Sequence, residues 1–255
     1  MKISFFGTSH GVPHGAAGAE RFCQSMMIET ENSCYIVDAG APAMDCLLRT
    51  GHDLKKLKAV FITHSHHDHM DCLPGLISLP SWYCKEMKFD VYMPDQAGYD
   101  AIDSYMKAIT TGDTYYPNDR ISLKRFFDPI VYQNDEIKVT AYPTGHMDHY
   151  PAEAGRQAYG YLFEADGKKL YITCDLNGER IDIPDFIYEE GADTMVVECA
   201  HFPAERLIEK LKTCKVNQVL PVHVWTLDKY DILKSAEKDL PLRMSYPRDG
   251  DCIEL

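Results

Sequence analysis

The sequence predicts an α/β fold in which two β-sheets pack face to face and helices cover them outside. Short apolar runs rich in β-branched residues fall into two groups along the chain, and helical patterns lie between and after them. At 255 residues, 45% of them hydrophobic, the chain can bury one substantial core, so a single domain spanning 1–255 is expected.

The first group of strands reads as KISFF (2–6), SMMIET (25–30), CYIVDAG (34–40) and AVFIT (59–63), with a turn at Glu31 and Asn32. Helical spacing follows at 41–50, 69–80 and 95–109, and TTGDTYYPNDR (110–120) is the clearest irregular loop. The second group is ISLKRFF (121–127), IVYQ (130–133), EIKVTAYPT (136–144), AYGYLFEA (158–165) and KLYITCD (169–175). The chain then alternates strand and helix: TMVVECA (194–200), ERLIEKLKTC (205–214), VNQVLPVH (216–223) and LDKYDILKSAEK (227–238).

No apolar run approaches the length of a membrane span. MKISFFGTSH enters a strand and a glycine-rich turn at once, unlike a signal peptide, so the expected location is the cytoplasm. Nine cysteines, scattered and without a CxxC pair, read as reduced thiols rather than as a disulfide framework or a zinc ribbon. The net charge of −13, with no run rich in Lys or Arg, argues against a large nucleic-acid partner.

The chemistry is concentrated in THSHHDHMDC (63–72), where an apolar strand meets the apolar face of a helix. Imidazoles and carboxylates at such a place are costly to bury unless paired or bound to metal. On an extended chain His64 and His66 point the same way and can grip one ion, while His67 points elsewhere. Asp68 and His69 stand where the helix starts and can face a second ion. Nitrogen with carboxylate oxygen suits zinc, and also manganese or iron. Three further apolar runs each end in a ligand-type residue, at His146, Asp175 and His223. Singly, each is as well explained by a core histidine or a turn aspartate; together they point to one shared edge.

HSHHDH, followed in order by His146, Asp175 and His223, resembles the HxHxDH signature of the metallo-β-lactamase-fold hydrolases. The resemblance implies an αββα sandwich of two mixed sheets. It also implies two divalent metal ions: His64, His66 and His146 on the first, Asp68, His69 and His223 on the second, with Asp175 bridging. Flavodiiron oxidoreductases of this fold carry glutamate where His66 stands, which favours a hydrolase. A narrower resemblance, to the ribonuclease Z-like phosphodiesterase branch, rests on FFGTSHGVPH (5–14), YIVDAG (35–40) and HMDHYPAEAGRQAYGYLFE (146–164).

In ECAHF, Glu198 and His201 stand at the spacing where that branch carries a catalytic His–Glu pair, 22 residues before His223. The plain alternatives are a histidine capping the helix at 203 and an exposed loop residue. Asp68, His201 and Glu198 are therefore the catalytic candidates. The expected nucleophile is a hydroxide bridging the metals, and the expected general acid is His201, oriented by Glu198. The glycine-rich loop GTSHGVPHGAAG (7–18) offers backbone N–H groups to phosphate oxygens. His10, His14 and His149 fall outside the branch pattern; each either lines the pocket or is a plain loop residue, and the loop reading is preferred.

The expected activity is hydrolysis of a small or cyclic phosphodiester. The alternatives are a lactone or thioester hydrolase on the same metals and a non-hydrolytic accessory protein of cofactor biosynthesis. The Lys-rich arm by which transfer-RNA-processing members grip RNA has no counterpart in the sequence, which disfavours that substrate. The expected partner is a small phosphate-containing molecule, with no membrane; a homodimer is compatible with the sequence.

Overall fold

The computed structural model of the chain describes residues 1–11, 21–110, 116 and 119–255. His14, most of the glycine-rich loop and most of the irregular segment 110–120 lie outside the described residues.

The first sheet contains β1 (Lys2–Gly7), β2 (Ser25–Glu29), β3 (Cys34–Val37), β4 (Leu57–Phe61), β5 (Phe89–Met93) and β6 (Ile121–Arg125). The second contains β7 (Ile130–Gln133), β8 (Lys138–Thr144), β9 (Ala158–Ala165), β10 (Lys168–Ile172), β11 (Ala192–Glu198), β12 (Val216–Val222) and β13 (Arg243–Met244). A last strand, β14 (Cys252–Glu254), returns to the first sheet and pairs antiparallel with β1. The seven-stranded orders are β14-β1-β2-β3-β4-β5-β6 and β13-β12-β11-β10-β9-β8-β7. Both sheets are mixed, as expected.

Alternation along the strands sorts side chains into layers. Ala59 and Phe61 of β4 face the second sheet, in a shared core with Phe5, Tyr35, Tyr161, Phe163 and Val196. Val60 and Ile62 face the other way, joined by Leu57 across a register irregularity opposite Cys34 and Tyr35, and pack with Leu47 of α1 (Ala43–Arg49) and with Leu76 and Ile77 further along the chain. A short α2 (His67–Met70) precedes α3 (Leu73–Trp82), which carries Leu76 and Ile77, and α4 (Gln96–Ile109) completes that outer layer through Ile102 and Met106. On the far side, α5 (Phe186–Glu189), α6 (Ala204–Leu211) and α7 (Asp228–Ala236) bury Ile187, Leu207 and Leu233 against Met195, Val197 and Val219. The result is the expected αββα order of layers.

The helix read over 69–80 is corrected. It starts earlier, at His67, and breaks between Met70 and Leu73, where Pro74 occupies the first turn of α3. Proline lacks an N–H, which costs nothing in the first turn of a helix, where that donor is free anyway, so Pro74 suits the start of a new helix; Pro80 is carried within α3. Among the described residues, all nine cysteines are free, and no helix is long and apolar enough to cross a membrane.

Strand direction positions the site. β1 and β3 both run antiparallel to β2, and β3 and β4 are parallel, so β1, β3 and β4 point the same way. In the second sheet β8 and β10 both oppose β9, while β10, β11 and β12 are parallel. Seven strands thus direct their C-terminal ends to two facing rims, the place where α/β sheets carry their ligands.

Candidate metal centre

Each of these strand ends delivers a titratable side chain. His10 follows β1, Asp38 follows β3, and His64 to His69 follow β4. From the second sheet come His146 after β8, Asp175 after β10, Glu198 at the end of β11 and His223 after β12. Three of these segments hold unusual backbone: Asp38, Cys174 and His223 have φ of 59°, 51° and 51°. Left-handed conformations are uncommon outside glycine, and strain of this kind clusters at functional sites. Gly40 is needed for a different reason. A Cβ there would stand 2.0 Å from the Asp68 carbonyl oxygen, so only glycine lets the chain pass the carboxylate-bearing turn.

The side chains form two adjoining donor groups. In the first, His64 Nε2 lies 2.9 Å from His66 Nδ1, which lies 3.2 Å from His146 Nε2. Asp175 Oδ2 stands 3.6 Å from His64 Nε2 and 3.5 Å from His146 Nε2. In the second group, His69 Nε2 is 3.4 Å from Asp68 Oδ2, and His223 Nε2 is 3.8 Å from the same oxygen. Asp175 reaches this group too, with Oδ2 at 3.5 Å from His69 Nε2 and Oδ1 at 3.4 Å from His223 Nε2. Ligands ~2.1 Å from a tetrahedral zinc lie about 3.4 Å from one another. The donor spacings bracket that value in the first group and run from it up to 3.8 Å in the second.

The satisfaction of these atoms is also what a metal site requires. His69 Nε2 and both ring nitrogens of His223 are buried with no hydrogen-bond partner. Buried polar atoms in native proteins are seldom left so. A cation would supply the missing partner of His69 Nε2 and of His223 Nε2, one nitrogen of each ring, so the residues present fit divalent metal. His69 is already oriented for it. Its Nδ1 lies 2.8 Å from Asp38 Oδ2, and a carboxylate only accepts, so Nδ1 carries the proton and Nε2 presents its lone pair to the site. Asp38 is fixed in turn by the backbone N–H of Thr63 at 2.8 Å and by the Thr63 hydroxyl.

Electrostatics follow the same division. Burial opposes charge on Asp175, but His223 and His69 hold its carboxyl well below the usual carboxylate range. Asp68 is likewise held low by His69 and His223 against its burial. Burial drives His64 well below the usual imidazole value and takes His66 down to about 4, with His146 adding to the effect on His66. Neutral imidazole and ionised carboxylate are the ligand forms of these groups. His69 differs: burial opposes its charge, but Asp175 and then Asp38 raise its pKa well above the usual imidazole value, and a bound cation would take the place of the extra proton. Cys174 lies 3.8 Å from His64 Nδ1 and 3.7 Å from His69 Nδ1, on the side of the rings away from the donor cluster. Burial and then Asp38 push its thiol well up, which leaves it a packed thiol behind the rings.

His67 stays apart. Its side chain is exposed and lies 3.4 Å from Asp71 on the outer face of α2. The extended chain through His66 (φ −74°, ψ 152°) gives the alternation that separates His64 and His66 from His67.

Glu198 and His201 come together beside the donors. Glu198 is buried and accepts from the backbone N–H groups of Leu176, Ala200 and His201, at 3.0, 2.7 and 3.1 Å. His201 Nδ1 lies 3.0 Å from Glu198 Oε1 and Nε2 lies 3.8 Å from Asp175 Oδ2. Burial lowers the His201 pKa, but the hydrogen bond and charge of Glu198 outweigh it and raise the pKa to about 9. The helix-cap alternative fails, because α6 begins after Pro203 and no side chain caps it.

The reading of His10 and His149 as plain loop residues needs correction. His10 stacks on Trp225 at 4.5 Å between ring centroids and sits 5.2 Å from His223 and 5.7 Å from His201. Burial and then His223 take its pKa down to about 4. His149 lines a cleft of about 510 Å³ that His146 and His201 share with Asn177, Gly178 and Arg180. Both residues are on loops, but the strand ends turn those loops onto the site. Asp38 was missed as a site residue although YIVDAG carries the same signal as the others, an apolar run ending in a carboxylate.

A protein-family model described as "Anti-Pycsar protein Apyc1" matches residues 1–212. Ribonuclease Z of Bacillus subtilis (strain 168) is 29% identical over 190 residues, which cover 74% of this chain and 57% of that protein. The chain spans about half the length of the curated relatives it matches first. Among solved structures, the metallo-β-lactamase fold protein YhfI from Bacillus subtilis superposes with a TM-score of 0.73 at 17% identity, covering 99% of each chain. A diphosphatase of the PhnP family gives 0.72 at 18% identity, covering 100% of this chain and 97% of that one. At such identities the likeness establishes the fold, which is the metallo-β-lactamase fold, and the ribonuclease Z likeness agrees with the narrower resemblance read from the sequence.

Proposed function

The chain belongs to the Anti-Pycsar protein Apyc1 family, and from that premise we propose that it is a metal-dependent hydrolase of small or cyclic phosphodiesters, with residues 1–255 acting as one domain. In this reading His64, His66 and His146 hold one divalent ion, Asp68, His69 and His223 hold a second, and Asp175 is shared; zinc suits the donor set. One observation carries it. Asp175 meets the donors of both groups through its two oxygens, and the same carboxylate lies 3.8 Å from the Nε2 of a histidine anchored by a buried glutamate. Donors from both sheets are required for that arrangement, which is why the two sheets act as a unit.

The ions would supply a water of lowered pKa and offset charge on phosphate oxygens. The chain's own residues do the rest. Asp38 keeps the His69 proton on Nδ1 and so keeps Nε2 free as a donor. Glu198 accepts from Nδ1 of His201 and its charge raises the ring's pKa to about 9, so Nε2 carries a proton as well and can give it to the departing alkoxide oxygen. A phosphodiester needs that proton most when its leaving group is an alcohol. The overall charge of −13 favours a small substrate over a polyanionic one.

The test is turnover by protein loaded with zinc, manganese or iron, offered bis(p-nitrophenyl) phosphate, cyclic mononucleotides of each base, lactones, and a precursor transfer RNA. Metal-dependent cleavage of one or more small phosphodiesters is expected. Faster turnover of lactones, or efficient removal of the transfer RNA 3′ trailer by the protein alone, overturns the proposal.

A further inference from the structure

The turn that carries His201 is held from two sides, and only one of them is Glu198. Residues 199–203 link the end of β11 to the start of α6 and contain no regular structure that could fix them. Their N–H groups at Ala200 and His201 are taken by the Glu198 carboxylate. Their carbonyls are taken by a lysine from a different element. Lys229, in the first turn of α7, donates to the carbonyls of Cys199, Ala200 and Phe202 at 2.7, 2.8 and 2.8 Å. An ammonium has three protons, and all three are used on this one turn.

The remaining carbonyl, that of His201, packs against Gly178, where a Cβ would stand 2.9 Å from the oxygen. Arg206 of α6 donates to the carbonyls of Gly178 and Glu179 and so ties that wall of the cleft to the helix following the turn. The turn is thereby enclosed by a carboxylate on its N–H side, an ammonium on its C=O side and a glycine where side chains would not fit. Holding a half-buried lysine in this way costs solvation, since burial lowers its pKa. An apolar side chain in its place would leave three carbonyls of a buried turn without donors, so the position of the turn depends on this one ammonium.

We propose that Lys229 is a positioning residue for His201: by saturating three carbonyls of the 199–202 turn it fixes the height and tilt at which the Nε2 edge of His201 faces the site. This rests on the reading of His201 as proton donor given above. Lys229 itself reaches neither substrate nor metal donors. Its effect is on geometry alone, where displacement of a reacting group by about 1 Å costs on the order of 100-fold.

The experiment compares Lys229→Met, Lys229→Gln and His201→Ala on an alkyl phosphodiester and on bis(p-nitrophenyl) phosphate, with bound metal measured by elemental analysis. Lys229→Met is expected to keep its metal, to lose about 10–100-fold in kcat on the alkyl ester, and to lose far less with p-nitrophenolate, which departs without a proton. In the His201→Ala background the same change is expected to cost nothing further, because the group it positions is gone. Lys229→Gln retains two donors and should fall between. Equal loss on both substrates, or full additivity with His201→Ala, identifies a purely structural role and overturns the proposal. If Lys229→Met does not fold, Lys229→Gln decides by the same ratio of substrates, and failure of both to fold also assigns Lys229 to stability. If His201→Ala leaves alkyl ester turnover intact, the proton-donor reading itself fails, whatever Lys229 does.

Discussion

The two sides of the site are built on opposite principles. On one side, imidazoles and carboxylates arrive from both sheets and leave their inward atoms unpaired: both nitrogens of His223 and the Nε2 of His69 have no partner. On the other, a single short turn has most of its polar atoms matched, with Glu198 on two of its N–H groups and the His201 ring, and Lys229 on three of its carbonyls. A buried donor set left open is a place to receive a cation; a saturated turn is a way to hold one proton at one position. The comparison teaches that these are separable devices sharing Asp175 as their boundary.

Breaking the open side should have the largest effect. His64→Ala or His223→Ala removes a donor from the centre of its group, and each is expected to lose bound metal and fall to background turnover, read by elemental analysis and a phosphodiester assay. Unchanged metal in either variant contradicts the ligand set. Breaking the saturated side should be smaller and of another kind. His201→Ala is expected to lose ~10²–10⁴-fold on an alkyl phosphodiester, the range for general acid–base catalysis, with a much smaller loss on bis(p-nitrophenyl) phosphate.

Asp38→Asn sharpens the first device without touching its donors. An amide holds the His69 ring less firmly, and metal affinity is expected to fall ~10–100-fold, as followed by competition with a chelator. Glu198→Gln sharpens the second device; it should lower alkyl ester turnover less than His201→Ala and leave metal binding alone. The smallest effect belongs to His67→Ala, since that side chain faces solvent beside Asp71. Metal content and turnover should equal those of the parent chain, and loss of an ion there would mean that the register of the whole His64–His69 segment is misread.

How much of this was legible in the sequence differs between the two devices. The open side was written in residue types at strand ends. The i, i+2 alternation of an extended chain separates His64 and His66 from His67, and apolar runs ending at His146, Asp175 and His223 announce their common rim. Asp38 carried the same signal and was passed over. The saturated side was half legible: Glu198 and His201 are close in sequence, whereas Lys229 is one lysine on the exposed face of a helical pattern, and only the packing of α7 brings it under the turn. His10 was illegible for a similar reason, because its place beside His223 and Trp225 depends on β1 and β12 ending at facing rims of different sheets. The break between α2 and α3 was available from Pro74, but the apolar spacing on either side masked it. The three-residue β14 is too short for any pattern and exists because β1 offers it an edge.

The central claim is that seven side chains hold two ions and that His201 holds neither. The most direct measurement is the metal content per chain of the parent protein and of His201→Ala, each purified with zinc and freed of loosely bound ions. The account predicts two ions per chain in both. One ion in the parent, or the loss of an ion on replacing His201, contradicts it.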